Sequence, residues 1–552
     1  MDLEKFSPNF ELLKLTDEEK SLVSPFFTNL DRSVFAVTFL PPEVIGALCS
    51  RTSRAKDDLR MVFLNEFIKP FLQDQTEYGK SLKSLIEFFH KNPIELVFSN
   101  PKGREFYIKW LAQFGDDSIA QMAGVHLIYS SLSQLAIKHF EDMRIGVAPI
   151  EKSTRYVDYS SKANGEYLYY TDPTLEEMGL KDEYKKVMDN LFEVYFLIYS
   201  KYFEHLKGKY PEEKEMVLKT KAFDVARKTL PVSTLSQISF FGNGQALEYL
   251  VSRSLNNNLG EIRWAGQAAF DELSKIIPAF LRRIESPESE QYRKYLGERG
   301  ERVRKSMEEV KYQKEEVKSE SPVRLLDYDK DGEDKIIAGL LYFETNEPFD
   351  RILDKVKKMS SSEKEKILQE VLKDRKHRYY KIPRAFENAY LRFEVTMNIG
   401  AWRDLHRHRI HTQFRERFNP YNGFDTAPEL SEVGLEQNYK DAVLKAEDLY
   451  RKVEKFNPDL AQYCCTLGHK VRFIQYQNLR SFFWETELRT IPQGHPDYRK
   501  IEQEKINLVK GIYPLVSKYL LVDMQEYDFA RRGVSEQIQK KEKELKQYFE
   551  NK

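Results

Sequence analysis

Apolar and polar positions along this 552-residue chain follow the same order on both sides of a charged stretch at residues 285–322. A β-rich run, a break and a short apolar helix are predicted at residues 34–53 and again at residues 323–345. Helix-spaced apolar positions occur at residues 245–263, and we pair them with residues 472–489. The repeated order predicts an internal duplication into two α+β domains, each with a mixed or antiparallel sheet and long helices.

A third pair of segments supports the duplication. In residues 110–141 and 371–406, a loop leads into alternating apolar residues, and a helical stretch follows. We therefore predict a first repeat at residues 1–284, a charged linker or helix at 285–322, and a second repeat at 323–552 that ends in a C-terminal helix.

Composition excludes several classes of protein. Lys plus Arg and Asp plus Glu both number 87, so no global field attracts the chain to nucleic acid or to anionic membranes, and we expect neither as a partner. Three cysteines do not make a disulfide framework. No apolar run approaches the roughly 20 residues that span a bilayer, and the first residues lack the apolar core of a signal peptide. The sequence predicts a cytoplasmic protein.

Arg407-His408-Arg409, hereafter the basic triplet, is one candidate binding element. Arginine binds phosphate oxygens in a bidentate way and keeps its charge at any relevant pH. The triplet therefore suits a phosphate, a pyrophosphate or the electron-rich edge of a flavin. The alternative is a basic surface stretch paired with Asp404 and Glu416.

The same region is rich in histidine, which raises the question of a metal site. His406 and His408 would share one face of a strand, and His411 lies close by in the sequence. No HExxH motif or comparable carboxylate partner is visible, and the neighbouring arginines would repel a cation. We predict no metal site.

Residues 151–156, hereafter the serine segment, form a second candidate element. The pattern predicts a loop that enters a strand, so that Glu151, Ser153 and Arg155 share one face of extended backbone. A carboxylate, a hydroxyl and a guanidinium can together bind a phosphorylated pyrimidine. The alternative is a structural ion pair between Glu151 and Arg155.

Each repeat keeps the element that the other has lost. At the position of the basic triplet, the first repeat has Met143-Arg144-Ile145. At the position of the serine segment, the second repeat has Arg415, Arg417, Asn419 and Pro420. A site that needs both elements must draw them from both halves, so we predict that they line opposite walls of one cavity.

Taken together, these elements resemble the flavin-dependent thymidylate synthases. That family's signature is an Arg-His-Arg triplet followed after seven residues by a serine, with a glutamate two residues before the serine and Arg-Tyr just after it. The basic triplet supplies the first part, and Glu151, Ser153, Arg155 and Tyr156 supply the second. Seven residues also separate Ile145 from Ser153.

Further parts of the family pattern follow in order. They are Glu387, which precedes Arg407 by twenty residues; Ala226-Arg227-Lys228-Thr229-Leu230-Pro231; a weak match to Asn-x-Arg at Asn243-Gly244-Gln245, with Arg472 in the second repeat; and Arg253 followed by Glu261-Ile262-Arg263.

The resemblance implies an enzyme that transfers a one-carbon unit from methylenetetrahydrofolate to dUMP with FAD as reductant, giving dTMP, while NADPH recharges the flavin. On the flavin side it implies Arg407, His408, Arg409, Glu387, Arg472 and Asn243. On the dUMP side it implies Glu151, Ser153, Arg155, Tyr156 and Arg227. It places Ser153 among the catalytic residues, with Arg253 or Arg480 as the group that polarises the uracil carbonyl.

The family is tetrameric with sites between subunits, so the resemblance implies a homodimer of this duplicated chain that acts as a pseudo-tetramer. Because both repeats are incomplete, two alternatives stay open. One is flavin-dependent one-carbon transfer to another nucleotide. The other is a non-catalytic paralogue that binds nucleotide or flavin and acts as a scaffold.

Overall fold

The structure, a computed structural model, describes residues 2–72, 76–92, 101–103, 105–106, 109, 118–313, 321–529 and 534–550. Its strands are β1 (Val34–Ala36), β2 (Gly124–Ser133), β3 (Val147–Glu151), β4 (Lys162–Ala163), β5 (Glu166–Tyr167), β6 (Leu235–Asn243), β7 (Val323–Tyr328), β8 (Tyr390–Asn398), β9 (Thr412–Arg415) and β10 (Lys470–Asn478).

The α-helices up to residue 284 are α1 (Asp17–Val23), α2 (Pro42–Thr52), α3 (Leu59–Val62), α4 (Lys69–Leu72), α5 (Glu77–Lys91), α6 (Ser118–Met122), α7 (Gln134–Glu141), α8 (Thr174–Glu177), α9 (Lys181–Lys209), α10 (Glu215–Ala226), α11 (Gly244–Leu255), α12 (Gly260–Leu273) and α13 (Pro278–Leu281). Those that follow are α14 (Pro287–Glu309), α15 (Gly332–Tyr342), α16 (Phe349–Lys357), α17 (Ser361–Leu372), α18 (Ile399–Leu405), α19 (Glu436–Glu454), α20 (Pro458–Ala461), α21 (Leu479–Arg489), α22 (Pro496–Ile512) and α23 (Val534–Glu550).

Shorter helical turns complete the described structure. A π-helix spans Phe63–Ile68, and 3-10 helices span Glu4–Phe6, Ser24–Phe26, Arg227–Thr229, Arg282–Glu285, Arg384–Asn388, Pro428–Val433, Gln462–Cys464 and Val516–Tyr519.

One compact unit comprises residues 1–197, 229–315 and 437–465. Its four-stranded antiparallel sheet has the order β1-β2-β6-β3. Alternate residues of the central strands, among them Leu127 on β2 and Phe240 on β6, are fully buried, as the period of two in a strand requires. This unit also contains most of the long helix α19 of the second repeat.

The other compact unit comprises residues 198–228, 316–436 and 466–552. Its four-stranded antiparallel sheet has the order β7-β8-β10-β9, the same topology as the first sheet. Leu391, Phe393 and Val395 alternate along β8 and are fully buried. The unit takes α10 from the first repeat.

Strand-to-helix junctions show why the sequence repeats its order. Ser133, Asn243, Asn398 and Asn478 each end a strand, and each side chain accepts a hydrogen bond from a backbone N–H in the first turn of the following helix. Side chains of this type are favoured N-caps because they satisfy donors that the helix leaves unpaired. The four caps mark corresponding junctions after β2, β6, β8 and β10.

The duplicated α+β architecture predicted from the sequence is confirmed. The charged stretch forms helix α14, whereas residues 314–320 of it, like residues 110–117 of the predicted third pair, lie outside the described residues. The repeat boundaries stay a prediction, since each compact unit combines segments from both predicted repeats.

The pairing of residues 245–263 with 472–489 was wrong. Residues 470–478 are strand β10, which corresponds to β6, so helix α21 corresponds to α11 and helix α22 to α12. The counterpart of Glu261-Ile262-Arg263 is therefore Asp497-Tyr498-Arg499 at the start of α22, rather than the end of α21.

Candidate functional site

The basic triplet lies in the turn between α18 and β9. The expectation that His406 and His408 share one face of a strand was wrong, because β9 begins only at Thr412. The guanidinium of Arg407 lies 4.0 Å from the carboxylate of Asp404 and is substantially exposed. A turn presents successive side chains in different directions, so this part of the molecule can offer several donors to one ligand.

His408 is held in place by a residue of helix α21. The Nε of Arg489, the last residue of that helix, donates a 2.7 Å hydrogen bond to Nε2 of His408. Burial and the positive charge of Arg489 lower the pKa of His408 well below its ordinary value. Arg489 was not among the predicted site residues, although the arginine that ends α21 is visible in the sequence.

A buried ionic network lies beside this histidine. Lys505 on α22 donates to Glu502 at 2.9 Å and to Gln475 on β10 at 3.0 Å, and its amine lies 3.7 Å from Glu485 on α21. Glu485 in turn lies 3.9 Å from Nδ1 of His411. The side chains of Lys505, Glu485 and Glu502 are completely inaccessible to solvent.

Within this network the pKa values of Glu485 and Glu502 are shifted in opposite directions. Burial opposes ionisation of Glu485, but the charges of Lys505 and His411 outweigh it and lower the pKa of this carboxyl. Burial and the neighbouring charge of Glu485 raise the pKa of Glu502. The ammonium of Lys505 lies within 3.7 Å of the Glu485 carboxyl and donates a hydrogen bond to Glu502, so it interacts favourably with both acids.

Glu387 forms a second group in the same unit. Its carboxylate accepts a 2.8 Å hydrogen bond from Arg480 and a 3.2 Å hydrogen bond from Arg384, and these pairs lower its pKa although partial burial raises it. Arg480 also donates to the carbonyl of Ile382 at 3.1 Å. The structure therefore brings together Glu387 and Arg480, which the sequence analysis had assigned to different roles.

Arg480 belongs to a motif that the sequence analysis overlooked. Asn478-Leu479-Arg480 is a literal Asn-x-Arg at the end of β10, in the position where the first repeat has Asn243-Gly244-Gln245. Arg480 is the second residue of α21, so it lies at the start of that helix. Asn243 caps α11 by accepting a 2.8 Å hydrogen bond from the N–H of Ala246.

Arg472 lies on β10. Its guanidinium donates to the side-chain oxygen of Asn422 at 2.8 Å, and its backbone N–H donates to Glu416 at 3.0 Å. These contacts join β10 to the segment that follows β9, and they orient the Arg472 side chain near the loop of Asn422.

The serine segment begins at the end of β3. Glu151 is buried and accepts a 2.9 Å hydrogen bond from the amine of Lys138, which also donates to Glu141 at 2.5 Å. Lys138 is itself buried, so its charge is balanced by two carboxylates rather than by water.

The prediction of an extended serine segment was wrong. The strand ends at Glu151, and residues 154–156 form a turn. The backbone N–H of Ser153 donates to the carbonyl of Ser53 at 2.9 Å, and its hydroxyl accepts a 3.2 Å hydrogen bond from the N–H of Arg155. A local serine-to-backbone hydrogen bond competes with continued strand structure, which explains the turn.

The remaining members of the serine segment lie on this turn. Arg155 is buried, and the ring of Tyr156 lies 5.3 Å from the guanidinium of Arg54. Lys152 donates to the carbonyl of Lys56 at 2.9 Å, and burial lowers its pKa to about 8. The segment is thus fastened to the loop that follows α2.

Arg253 lies near the end of α11. It donates to the carbonyl of His139 at 3.2 Å and lies 3.7 Å from Asp142. Counted from the capping asparagines Asn243 and Asn478, Arg253 corresponds to Leu488, next to Arg489 at the end of α21, and not to Arg480.

Arg227 is buried at the end of α10, next to a cavity of about 140 Å³. Lys228, in that cavity wall, forms a 2.9 Å ion pair with Asp497. Asp497 also accepts a 2.7 Å hydrogen bond from Asn398 and lies 3.8 Å from His495. Partial burial raises the pKa of Asp497, but His495, Lys228 and the hydrogen bond from Asn398 outweigh it and lower that pKa.

Glu261 occupies the corresponding position in the other unit. Its carboxyl accepts hydrogen bonds from the N–H of Ser133 at 2.8 Å, from the hydroxyl of Ser133 at 2.6 Å and from the hydroxyl of Tyr463 at 2.6 Å. Burial raises the pKa of Glu261 to about 7, although these hydrogen bonds act in the opposite direction.

Two classes of feature are not found in the part of the chain that the structure describes. No group of three or more His, Cys, Asp or Glu side chains is arranged there to hold a metal ion. No helix in the described ranges combines the length and the apolar character needed to cross a bilayer. The prediction that the basic triplet and the serine segment line one cavity stays a prediction.

Comparison with known proteins gives consistent relatives over nearly the whole chain. The chain is 35% identical to a UPF0159 protein of Chlamydia muridarum over 93% of its own length and 96% of the relative. It is 33% identical to one of Chlamydia pneumoniae (94% and 97%) and 28% identical to one of Thermoplasma acidophilum (88% and 96%).

A solved structure of PolB, a UMP/dUMP methylase from Streptomyces cacaoi with 5-Br dUMP, covers 37% of this chain and 95% of that chain, with 15% identity and a TM-score of 0.29. That similarity is too weak to support an argument. The sequence model of the family described as thymidylate synthase complementing protein, however, matches residues 53–279 and again residues 324–515. The chain therefore belongs to the thymidylate synthase complementing protein family, as a double-length member.

Proposed function

We propose that this protein is a flavin-dependent enzyme that transfers a one-carbon unit from methylenetetrahydrofolate to dUMP and so produces dTMP. The observation that carries the proposal is the basic triplet, which is retained on the turn between α18 and β9 within a chain of this family. FAD, when bound, would supply the hydride, and NADPH would restore the reduced flavin.

The flavin side of the proposal uses groups fixed by helix α21. Arg480 in its first turn pairs with Glu387, and Arg489 at its end contacts His408. The two arginines are nine residues apart, which is about 14 Å along an α-helix. That spacing suits an extended dinucleotide with charge at more than one point, and Arg407 and Arg409 would take phosphate oxygens.

The nucleotide side of the proposal uses the serine segment and Arg227. Arg155 and Ser153 would bind the phosphate, Glu151 a sugar hydroxyl or the base edge, and Tyr156 would pack beside them. Arg253 or Arg480 would stabilise the negative charge that develops on the uracil carbonyl. The buried Lys138 donates to Glu151 and holds its carboxyl group in place, so that a substrate does not have to order it.

We further infer a cytoplasmic homodimer that acts as a pseudo-tetramer. The duplicated chain supplies two family domains, as the two matched segments indicate. Sedimentation of the full chain should give twice the 65.3 kDa of one chain, and a monomer under all conditions would contradict the dimer.

Flavin absorbance and thymidylate formation test the proposal together. The purified chain should bind FAD, with a change in the flavin spectrum on addition of dUMP. Arg407→Ala should weaken FAD binding at least about tenfold, equivalent to about 1.4 kcal/mol. Arg155→Ala should spare FAD and weaken dUMP by a similar factor. The exposed Arg451→Ala on α19 is a matched control and should change neither affinity.

The outcomes separate the alternatives. FAD binding without rescue of a thymidine-requiring bacterium would favour one-carbon transfer to another nucleotide. A colourless protein that takes up no FAD would contradict the enzyme and favour a nucleotide-binding scaffold. Unchanged dUMP affinity in Arg155→Ala would remove the serine segment from the substrate side.

A further inference from the structure

The contact between Arg489 and His408 determines where the imidazole carries its proton. A guanidinium has only donors, so Nε of Arg489 must donate and Nε2 of His408 must accept across their 2.7 Å separation. A proton on Nε2 would face another N–H at that distance. The imidazole is therefore neutral, with its hydrogen on Nδ1.

The groups around the histidine are consistent with this state. Arg489 and the ammonium of Lys505 on α22 both disfavour an imidazolium, as does His411, whose ring centre lies 5.8 Å away. Glu485 on α21 acts in the opposite direction, but its charge is already compensated by Lys505. Burial adds to the cost of a second cation here.

Arg489 is itself held in place. Its guanidinium lies 3.8 Å from the carboxylate of Asp404 at the end of α18, and 5.6 Å from the ring of Tyr498 on α22. Only 14% of its side chain is exposed. An arginine restrained from two neighbouring helices can fix the orientation of a group on a turn.

The first repeat has no imidazole at the position of the basic triplet, which is Met143-Arg144-Ile145. Arg253, near the end of the corresponding helix α11, donates to the backbone carbonyl of His139 and lies beside Asp142. The contact between a helix-ending arginine and an imidazole of the triplet therefore belongs to the second repeat.

We propose that Arg489 is a positioning residue that fixes His408 as the neutral Nδ1–H tautomer. The basic triplet then offers its ligand two guanidinium cations and one uncharged N–H donor, instead of three cations. That the ligand is a flavin rests on the proposed function, whereas the tautomer does not. His408 contributes no proton uptake or release across the physiological range.

Nitrogen-15 NMR of the full chain, labelled at histidine, tests the assignment, with His408→Gln identifying the resonances. In the wild-type protein without flavin, His408 should show a protonated Nδ1 and an unprotonated Nε2 that do not change from about pH 5.5 to 8. In Arg489→Met its pKa should rise toward the ordinary value of about 6.5, and Nε2–H should become populated.

Two further variants separate positioning from general damage. Arg489→Lys keeps a group that can only donate, so it should restore the wild-type tautomer. Arg451→Met, at an exposed position of helix α19, should leave the His408 signals unchanged. A protonated Nε2 in the wild-type protein, or identical His408 signals in wild type and Arg489→Met, would overturn the inference.

These spectra are recorded without flavin, so they stand apart from the proposed function. If His408 has the expected tautomer but the protein binds no FAD, the inference is supported and the proposed function is contradicted. If the protein binds FAD but His408 titrates normally, the proposed function is supported and the inference is contradicted.

Discussion

At the scale of single residues, the two repeats place an acid at the same point and shift its pKa in opposite directions. Glu261 and Asp497 are each the second residue of corresponding helices, α12 and α22. Glu261 meets the neutral hydroxyl of Tyr463, whereas Asp497 meets the ammonium of Lys228. Burial raises the pKa of Glu261, whereas the ammonium beside Asp497 helps to lower the pKa of that carboxyl despite its partial burial.

Glu261→Gln tests this difference as a dependence of stability on pH. The pKa of Glu261 is raised to about 7, above that of an unfolded glutamate, so its contribution is fully present at low pH and is lost as pH rises through 7. Relative to the wild-type protein, the glutamine variant should gain roughly 3 kcal/mol of unfolding free energy between about pH 5 and 8.

Urea unfolding at several pH values measures this gain. Glu18→Gln, at an exposed position of α1, is the control and should show no such trend. A constant difference between Glu261→Gln and the wild-type protein across the range would show that Glu261 is ionised throughout.

Residue types and spacing could predict some parts of the candidate site. The basic triplet and the serine segment were recognisable from the sequence. Because each repeat has only one of them, it was also predictable that a complete site would need both. Their conformations were not, because the turn at Ser153 depends on hydrogen bonds to Ser53 and to the N–H of Arg155. Arg489 was visible as the end of a helix, but its contact with His408 was not predictable, since the two residues are 81 positions apart in the sequence.

At the scale of elements, strands were predictable where apolar positions alternate regularly, as in β8, whereas the charge of residues 285–322 left a linker and a helix both open. Helix α22 shows the limit of this reasoning. Its sequence contains many charged residues, which predicts a solvated face, yet Lys505 and Glu502 are completely buried. Their burial follows from partners on β10 and α21, which are distant in sequence.

Lys505→Met should destabilise the second sheet's unit by about 3–5 kcal/mol, because it leaves Glu485 as an uncompensated buried charge. Guanidinium unfolding should show this loss, and adding Glu485→Gln should recover part of it. Lys518→Met, which breaks an exposed pair with Glu365, should cost less than about 1 kcal/mol. Equal costs for the two lysines would contradict the buried network.

At the scale of the whole molecule, the duplication was predictable from the repeated order of elements, and the matching topology of the two sheets confirms it. The composition of the compact units was not predictable. Residues 437–465 complete the unit of the first sheet, and residues 198–228 complete that of the second. The spacing of apolar residues predicts each helix, but it does not predict the sheet against which that helix packs.

Separated halves should therefore not fold as independent domains. Residues 1–322 alone lack Tyr463, the hydrogen-bond donor to buried Glu261, and Cys465, whose carbonyl accepts from the N–H of Val232 at 2.8 Å. Circular dichroism should show no cooperative thermal transition for this fragment. Joining residues 437–465 to it through a flexible linker should restore one, and a cooperative transition in the fragment alone would contradict the prediction.

The late position of residues 437–465 has a consequence for biosynthesis. A ribosome makes the chain from its N-terminus, so the first sheet leaves the exit tunnel long before the segment that covers its unit has been translated. During that interval the nascent polypeptide exposes apolar surface that the finished protein hides. Its yield in a cell should thus depend on chaperone supply more strongly than that of a protein whose domains mature in sequence.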